Sequence, residues 1–268
     1  MQIAANIVVL VAIYALISCG YVLIYRVSRV LNLAHGELMM LAAYLLLSLA
    51  TAFKGSPAAA LAGAVVLSLL VGVVLYLVLM RRMTGELVIS AVLVTIALGI
   101  LLRGLIILIW TGRVYHPIDD LFWRNPPIAL GAGVAVSTVA MATIAITLLV
   151  YVALFVFFRF TRWGVRMRAV GENPLLAAQR GIKLHMAYAL AWAMATFTGG
   201  SAGILLALDS GLDTSMAIVS LKAFPAALVG GLDSLRGAIV GSVIVATAEV
   251  LAIQYVDSLV SDVIPFLV

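Results

Sequence analysis

Charge is the scarcest property of this 268-residue chain: 10% of its residues are Asp, Glu, Lys or Arg, while 65% are hydrophobic. Soluble domains average about a quarter charged and about half apolar. With a mean hydropathy of +1.25, the chain falls outside the soluble class and reads as a polytopic membrane protein. Its one cysteine, Cys19, excludes an internal disulfide, and its place inside an apolar run makes it a buried thiol and no redox centre. The three histidines, His35, His116 and His185, never stand at metal-ligand spacing, which favours a hydrogen-bonded structural role for His35. No GxxxxGK(S/T) phosphate loop and no HExxH occurs, so the chain carries neither an ATP site of that type nor that zinc-hydrolase motif. A net charge of +5 does not signal nucleic acid, because the basic residues fall between apolar runs, where they set orientation in a membrane.

What the chain has in abundance is long apolar runs: Ile3 to Tyr25, Leu38 to Phe53, Ala58 to Met80, Leu87 to Trp110, Gly133 to Phe158, Met186 to Leu208 and Ala238 to Tyr255. Most approach the roughly 20 residues that cross a bilayer. The first lacks a basic leader and a small-residue cleavage site, so it is read as a mature helix. Seven spans and a broken eighth segment between Leu212 and Leu232 are expected. The fold class is an all-α polytopic membrane bundle with broken helices, a single domain over residues 1–268. Asp262 to Val268 looks like an outer loop entering one more apolar helix, and the expectation is of a further span beyond it.

Strict alternation, with the amino terminus outside, gathers Arg26, Arg29, Arg81, Arg82, Arg159, Arg162, Arg166, Arg168, Arg180 and Lys183 on one side. The positive-inside rule makes that side cytoplasmic. Asp119, Asp120, Asp209, Asp213, Asp257 and Asp262 fall opposite. Thr111 to Pro127, with Pro117, Asn125, Pro126 and Pro127, is an external cap, and Ser56-Pro57 marks the start of the third span.

Polar residues interrupt the apolar pattern at three places. The first is VLNLAHGELMMLAAY from Val30, where Asn32 can cap, Gly36 permits a sharp turn or a close helix contact, and Glu37 falls in a first helical turn that favours an anion. A helix break there must border a water-filled path or a protein contact. The second is the run around Lys222: Pro225 interrupts it, Gly230 and Gly231 open the chain, and Gly237 with Gly241 forms a small face for close packing. Lys222, Arg103 and Glu249 lie in or near apolar runs, and each needs a partner or water. The readings are a Lys222–Glu249 or Lys222–Glu37 pair, a snorkelling Arg103, or polar contacts for a zwitterionic solute in transit.

The third is the basic-side loop TRWGVRMRAVGENPLLAAQRGIKLH, Thr161 to His185. Asn173 can cap, Pro174 suits the first helical position, and Gly181 can terminate a two-turn helix. So short a helix must pack on something, and Ala177 and Ala178 allow close approach. It is either a docking element or a connector on the membrane surface. Ala177-Ala178 followed by Gly181 resembles a shortened form of the EAA loop through which permeases of bacterial ABC importers contact their ATPase subunits, although Gln179 and Arg180 depart from a fixed pattern. VLNLAHGELMMLAAY, TIALGILLRGLIILIW and LKAFPAALVGGLDSLRGAIVGSVIVATAEVL occur in the order seen in one branch of those permeases, the branched-chain amino acid importers of the LivH type. Nearly the whole chain resembles that branch.

The resemblance implies a permease in the bacterial inner membrane that moves a small polar solute inward and is not itself an enzyme. Branched-chain amino acids are the default solute, with urea, short amides or aromatic acids carried by similar permeases. Implied partners are a second, LivM-like permease, two cytoplasmic ATP-binding subunits that hold ATP and magnesium, an external or periplasmic binding protein and the lipid bilayer. Residues 159–185 form the coupling loop, with Glu172, Asn173, Pro174, Ala177, Ala178 and Gly181 as its contacts. Asn32, His35, Gly36, Glu37, Lys222, Pro225, Gly230 and Gly231 are candidates for the path or its helix breaks. The embedded charges keep an ion-coupled secondary transporter as the alternative, and an intramembrane hydrolase is remote.

Overall fold

A bilayer offers no water to backbone N–H and C=O groups, so an apolar run must bond within its own segment and becomes a helix. The computed structural model describes residues 1–53, 55–121, 123–131, 133–255 and 262–268. The long helices are α1 (Gln2–Ser28), α2 (His35–Ala52), α3 (Pro57–Val78) and α4 (Val88–Trp110). A short α5 (Pro117–Asp120) and a hairpin of β1 (Pro127–Gly131) and β2 (Val134–Ser137) lead into α6 (Thr138–Phe160). There follow α7 (Arg162–Glu172), α8 (Pro174–Gln179), α9 (Leu184–Ser210), α10 (Met216–Gly230), α11 (Leu235–Tyr255) and α12 (Ile264–Leu267). Seven of these helices are long and apolar enough to cross a membrane: α1, α2, α3, α4, α6, α9 and α11. The chain is a multi-pass helical membrane bundle.

The innermost helices are α1 and α9, which pack along each other and are buried over most of their length. Trp192 of α9, Tyr14 of α1, Tyr44 of α2 and Tyr76 of α3 are the largest fully buried side chains. Hydroxyl groups tie α6 to α1: Thr147 Oγ1 donates to the Ala12 carbonyl at 3.1 Å and Tyr151 Oη to that of Ala15 at 2.9 Å. The outer faces of α3, α4 and α6 present Val66, Leu70 and Val74, Ile100 and Leu108, and Leu148 and Leu149 to the surroundings. So much exposed apolar surface has no place in water and suits hydrocarbon or another membrane subunit.

At the end of the bundle where the acidic loops gather, Tyr115 and Leu212 exchange two backbone hydrogen bonds, of 2.9 and 2.8 Å. Gln2 there bonds both backbone groups of Ala135 at 3.0 Å, fixing the hairpin over the start of α1. The hairpin corrects one boundary. The fifth span was expected from Gly133, but Val134–Ser137 pairs with Pro127–Gly131, and α6 starts at Thr138, capped by Ser137 Oγ accepting from the Ala140 N–H at 3.0 Å. The third span starts at Pro57 as expected, although Ser56 makes no side-chain cap. Asp257 lies outside the described residues.

A second correction concerns the segment expected to be broken. α10 runs without interruption through Pro225 and is only 15 residues long. A membrane helix tolerates an internal proline when its neighbours hold the backbone; here Ser18 Oγ donates to the Ala223 carbonyl at 2.9 Å, and Tyr21 lies 3.1 Å from Ser220 Oγ. Gly230 ends the helix and Gly231 caps it at φ 87°. The small face is real: a Cβ at Gly237 would overlap the Gly230 carbonyl, and one at Gly241 that of Ala226. Side chains there would force α10 and α11 apart.

Candidate functional site

Two regions collect the polar residues. The first lies inside the bundle. α1 ends at Ser28, Arg29 turns the chain at φ 56°, and residues 30–34 run without helical structure to the start of α2 at His35. Thr95 Oγ1 bridges this segment, accepting from the Leu33 N–H at 3.1 Å and lying 3.3 Å from the Leu31 carbonyl. Thr95 sits seven residues into α4, about 10 Å along its axis at 1.5 Å per residue, so the break lies at membrane depth. Asn32 is buried and its Oδ1 accepts from the Ala34 N–H at 3.1 Å. It braces the turn before α2, while Ala34 stands at the helix cap without a side-chain bond.

Glu37 occupies the first turn of α2 as expected. It does not meet Lys222. Arg103 of α4 donates to its Oε1 at 3.1 Å, which replaces the snorkelling expected of Arg103. Glu37 is mostly covered, and Arg103 is half exposed. The pair borders a cavity of about 380 Å³, lined also by Tyr21, Gly36, Gly99, Ala217 and Leu221. That volume falls in the roughly 300–1,000 Å³ range of small-molecule sites. Gly36 is pressed on α10, where a Cβ would come 2.8 Å from the Ala217 carbonyl. Thr95, Gly99 and Arg103 recur every fourth residue, so one face of α4 supplies the hydroxyl, the gap and the charge. That spacing was the signal for residues that sequence reasoning did not assign to the site.

His35 departs from expectation. It is fully buried, and neither ring nitrogen has a hydrogen-bond partner among the described residues. The ring is packed 4.6 Å from that of Tyr21 at 56°. Gly20 and Gly199 make its slot, since a Cβ on either would overlap the imidazole. The two glycines admit the ring between α1 and α9, with the Ile17 backbone beside it. Among the described residues no group of three His, Cys, Asp or Glu could hold a metal ion.

Lys222 instead meets Glu249 of α11 at 3.0 Å and Asp262 at 2.6 Å, confirming one of the two pairings considered. Tyr14 of α1 donates a short hydrogen bond to the other Glu249 oxygen. Lys222 and Glu249 are both nearly covered. Tyr14 is a partner that no local pattern announced, 235 residues away in sequence. A sequence feature of another kind is Gly199-Gly200-Ser201-Ala202-Gly203, which has the GxSxG spacing of a hydrolase nucleophile. That chemistry needs a sharp strand-to-helix turn, whereas these residues lie within α9 and Ser201 Oγ donates to the Phe197 carbonyl at 2.7 Å.

The second region is the basic loop, which holds two helices where one was expected. Thr161 caps α7 by accepting from the Gly164 N–H at 3.0 Å, and α7 buries Gly164, Met167, Val170 and Gly171 against α1, α6 and α9. Glu172 ends it, exposed. Asn173 Oδ1 then accepts from the Leu176 N–H at 3.0 Å, with Pro174 in the first turn of α8. Gly181, at φ 79°, closes the element, and the Ile182 N–H bonds the Ala177 carbonyl at 3.1 Å. Ala177 faces inward and is buried. Ala178 faces outward, together with Leu175 and Leu176, 69% and 56% exposed. Two large apolar side chains therefore stand free on a helix capped at its start by Asn173 and closed by Gly181.

A family model described as branched-chain amino acid transport system, permease component, matches residues 3–268. The high-affinity branched-chain amino acid transport system permease protein LivH of Escherichia coli K12 is 28% identical over 97% of this chain and 88% of its own length. BraD, the corresponding permease protein of Pseudomonas aeruginosa, is 26% identical over 94% of this chain and 86% of its own length. A probable LivH of Methanocaldococcus jannaschii is 25% identical over 91% and 78%. Since the family match extends over nearly all of its length, this chain belongs to the family of branched-chain amino acid transport permease components.

Proposed function

We propose that this chain is a membrane-spanning permease subunit of an ATP-driven importer that carries branched-chain amino acids inward across a bacterial inner membrane. It works with a second permease, two cytoplasmic ATP-binding subunits that hold ATP and magnesium, and an external binding protein. The observation that carries this reading is α8: a capped helix at the basic end with Leu175, Leu176 and Ala178 exposed and Ala177 locked inward. A short rigid helix transmits displacement between subunits better than a loose loop, and α7 joins it to α1, α6 and α9, the helices that would move.

The solute's course passes the Glu37–Arg103 cavity. A half-exposed guanidinium at membrane depth is too costly against lipid, so this face borders the path or the second permease. A free amino acid carries one charge of each sign, and Glu37 and Arg103 offer the complements, with Ile96, Ile100 and Leu221 beside them for an aliphatic side chain. The charges that ion coupling would use at Lys222 and Glu249 are already engaged with each other, with Tyr14 and with Asp262.

The test is Ala178→Asp in the chain expressed with the products of its neighbouring genes, beside Ala129→Asp in the exposed hairpin as control. Leucine uptake and recovery of the ATPase subunits with the permease should both be lost, while membrane abundance stays normal. Small-to-large changes at a packed contact cost about 1–3 kcal/mol before the added charge. Normal uptake at normal abundance returns α8 to a surface connector.

A further inference from the structure

A second cavity, of about 500 Å³, opens at the basic end between the ends of α1 and α6, the body of α7 and the start of α11. Arg26, Arg159, Arg168 and Arg236 line it. None of the four forms an ion pair among the described residues. Among the described residues Asp233 is the one acid in the lining, and Arg29 holds it at 2.5 Å. Aromatic rings support the cations: the Arg159 and Arg236 guanidinium carbons both lie 5.8 Å from the centre of the Phe155 ring, and that of Arg26 lies 5.3 Å from Phe158. The Arg168 Nε is buried without a hydrogen-bond partner. The same cavity has an apolar wall of Val152, Phe155 and Ile239, all exposed on the spans α6 and α11.

This site is independent of the Glu37–Arg103 cavity and of α8. Four guanidinium groups facing one described acid leave an excess of positive charge that calls for an anion, and their planar forks suit phosphate oxygens. The apolar wall continues along two membrane helices, so the anion that fits both surfaces carries hydrocarbon chains. We propose that this cavity binds the phosphate headgroup of an anionic phospholipid, with its acyl chains lying along Val152 and Ile239. Basic pockets between membrane helices at the cytoplasmic face suit such headgroups.

The experiment uses the full chain with its partner subunits in detergent, with lipid retention read by native mass spectrometry. Phosphatidylglycerol and phosphatidylcholine of identical chains are offered in turn, and inorganic phosphate is added as a competitor. The complex should retain phosphatidylglycerol and release phosphatidylcholine. Arg159→Gln/Arg236→Gln should weaken phosphatidylglycerol binding about thirtyfold, as expected for two interfacial arginines, whereas Arg113→Gln at the opposite end leaves it unchanged. Val152→Trp, which crowds the apolar wall and keeps every charge, should also lower retention. Equal retention of the two lipids overturns the proposal without recourse to any variant. So does a double variant that binds within threefold of the wild type. Displacement of the lipid by millimolar inorganic phosphate reassigns the cavity to a free anion and overturns the lipid reading.

Discussion

Among the described residues, the ion pairs Lys222–Glu249 and Glu37–Arg103 stand inside the bundle, and their surroundings differ more than their chemistry. Lys222–Glu249 is closed: both side chains are nearly covered, Tyr14 takes the second carboxylate oxygen, and Asp262 reaches the same ammonium. Glu37–Arg103 is open: it has one hydrogen bond, a half-exposed guanidinium and a cavity at its edge. Burial sets what each can do. A closed pair that loses one member leaves a buried charge stranded, whereas an open pair can exchange its partner for water or for a charged solute.

The strongest way to break this contrast is to remove one member of the closed pair. Glu249→Leu should destabilise the protein by about 3 kcal/mol, the lower part of the range for an orphaned buried charge, because Asp262 still reaches Lys222. Membrane abundance should collapse and thermal unfolding in detergent should shift down. Lys222→Met/Glu249→Leu should recover most of the loss, since replacing a buried pair with apolar residues is often neutral. A single variant as stable as wild type makes the closed pair no different from the open one.

The open pair is sharpened by separating stability from transport. Glu37→Gln and Arg103→Gln should each leave unfolding within about 1 kcal/mol of wild type, as for a partly exposed pair. Leucine uptake should fall about tenfold, equivalent to the roughly 1.5 kcal/mol of one hydrogen bond to a charged group. Uptake that falls only in proportion to membrane abundance removes the solute contact from this pair.

The contrast also marks what the sequence could disclose. Spans were legible because length and hydropathy are local, and so was α8, whose signals Asn173, Pro174 and Gly181 lie within nine residues of one another. The α7 helix was not, because its buried face is built partly from Gly164 and Gly171, residues that read as loop until their close contacts with Phe157 and Arg26 are known. Pro225 was read as a break because helix interruption is its local meaning; the hydroxyls of Ser18 and Tyr21 that brace α10 come from α1. The embedded charges could be seen, and Lys222–Glu249 was one of the two pairings they suggested, but Arg103 as the partner of Glu37 and Tyr14 as a partner of Glu249 were not. Glu37 and Arg103 are 66 residues apart and Lys222 and Glu249 are 27 apart, so pairing is a property of packing. The placement of His35 has the same origin, since two glycines on different helices shape its slot.

The smallest stability effect belongs to a third pair, Arg29–Asp233, which lies outside the spans with side chains 48% and 60% exposed. Its hydrogen bond raises the pKa of the Arg29 guanidinium above the ordinary arginine value, yet solvent screens so exposed a contact, and Asp233→Asn should change stability by less than about 1 kcal/mol. High salt should erase what difference there is. The informative readout is elsewhere. Asp233 is an acid lining the arginine cavity, so neutralising it raises the positive potential there and should tighten phosphatidylglycerol binding by up to about fivefold, the value of one interfacial charge. The same substitution therefore acts slightly or not at all on folding and in the favourable direction on lipid retention, opposite in sign to Arg159→Gln/Arg236→Gln. A large loss of stability in Asp233→Asn would place this pair with the closed one and show that exposure does not govern what these ion pairs do.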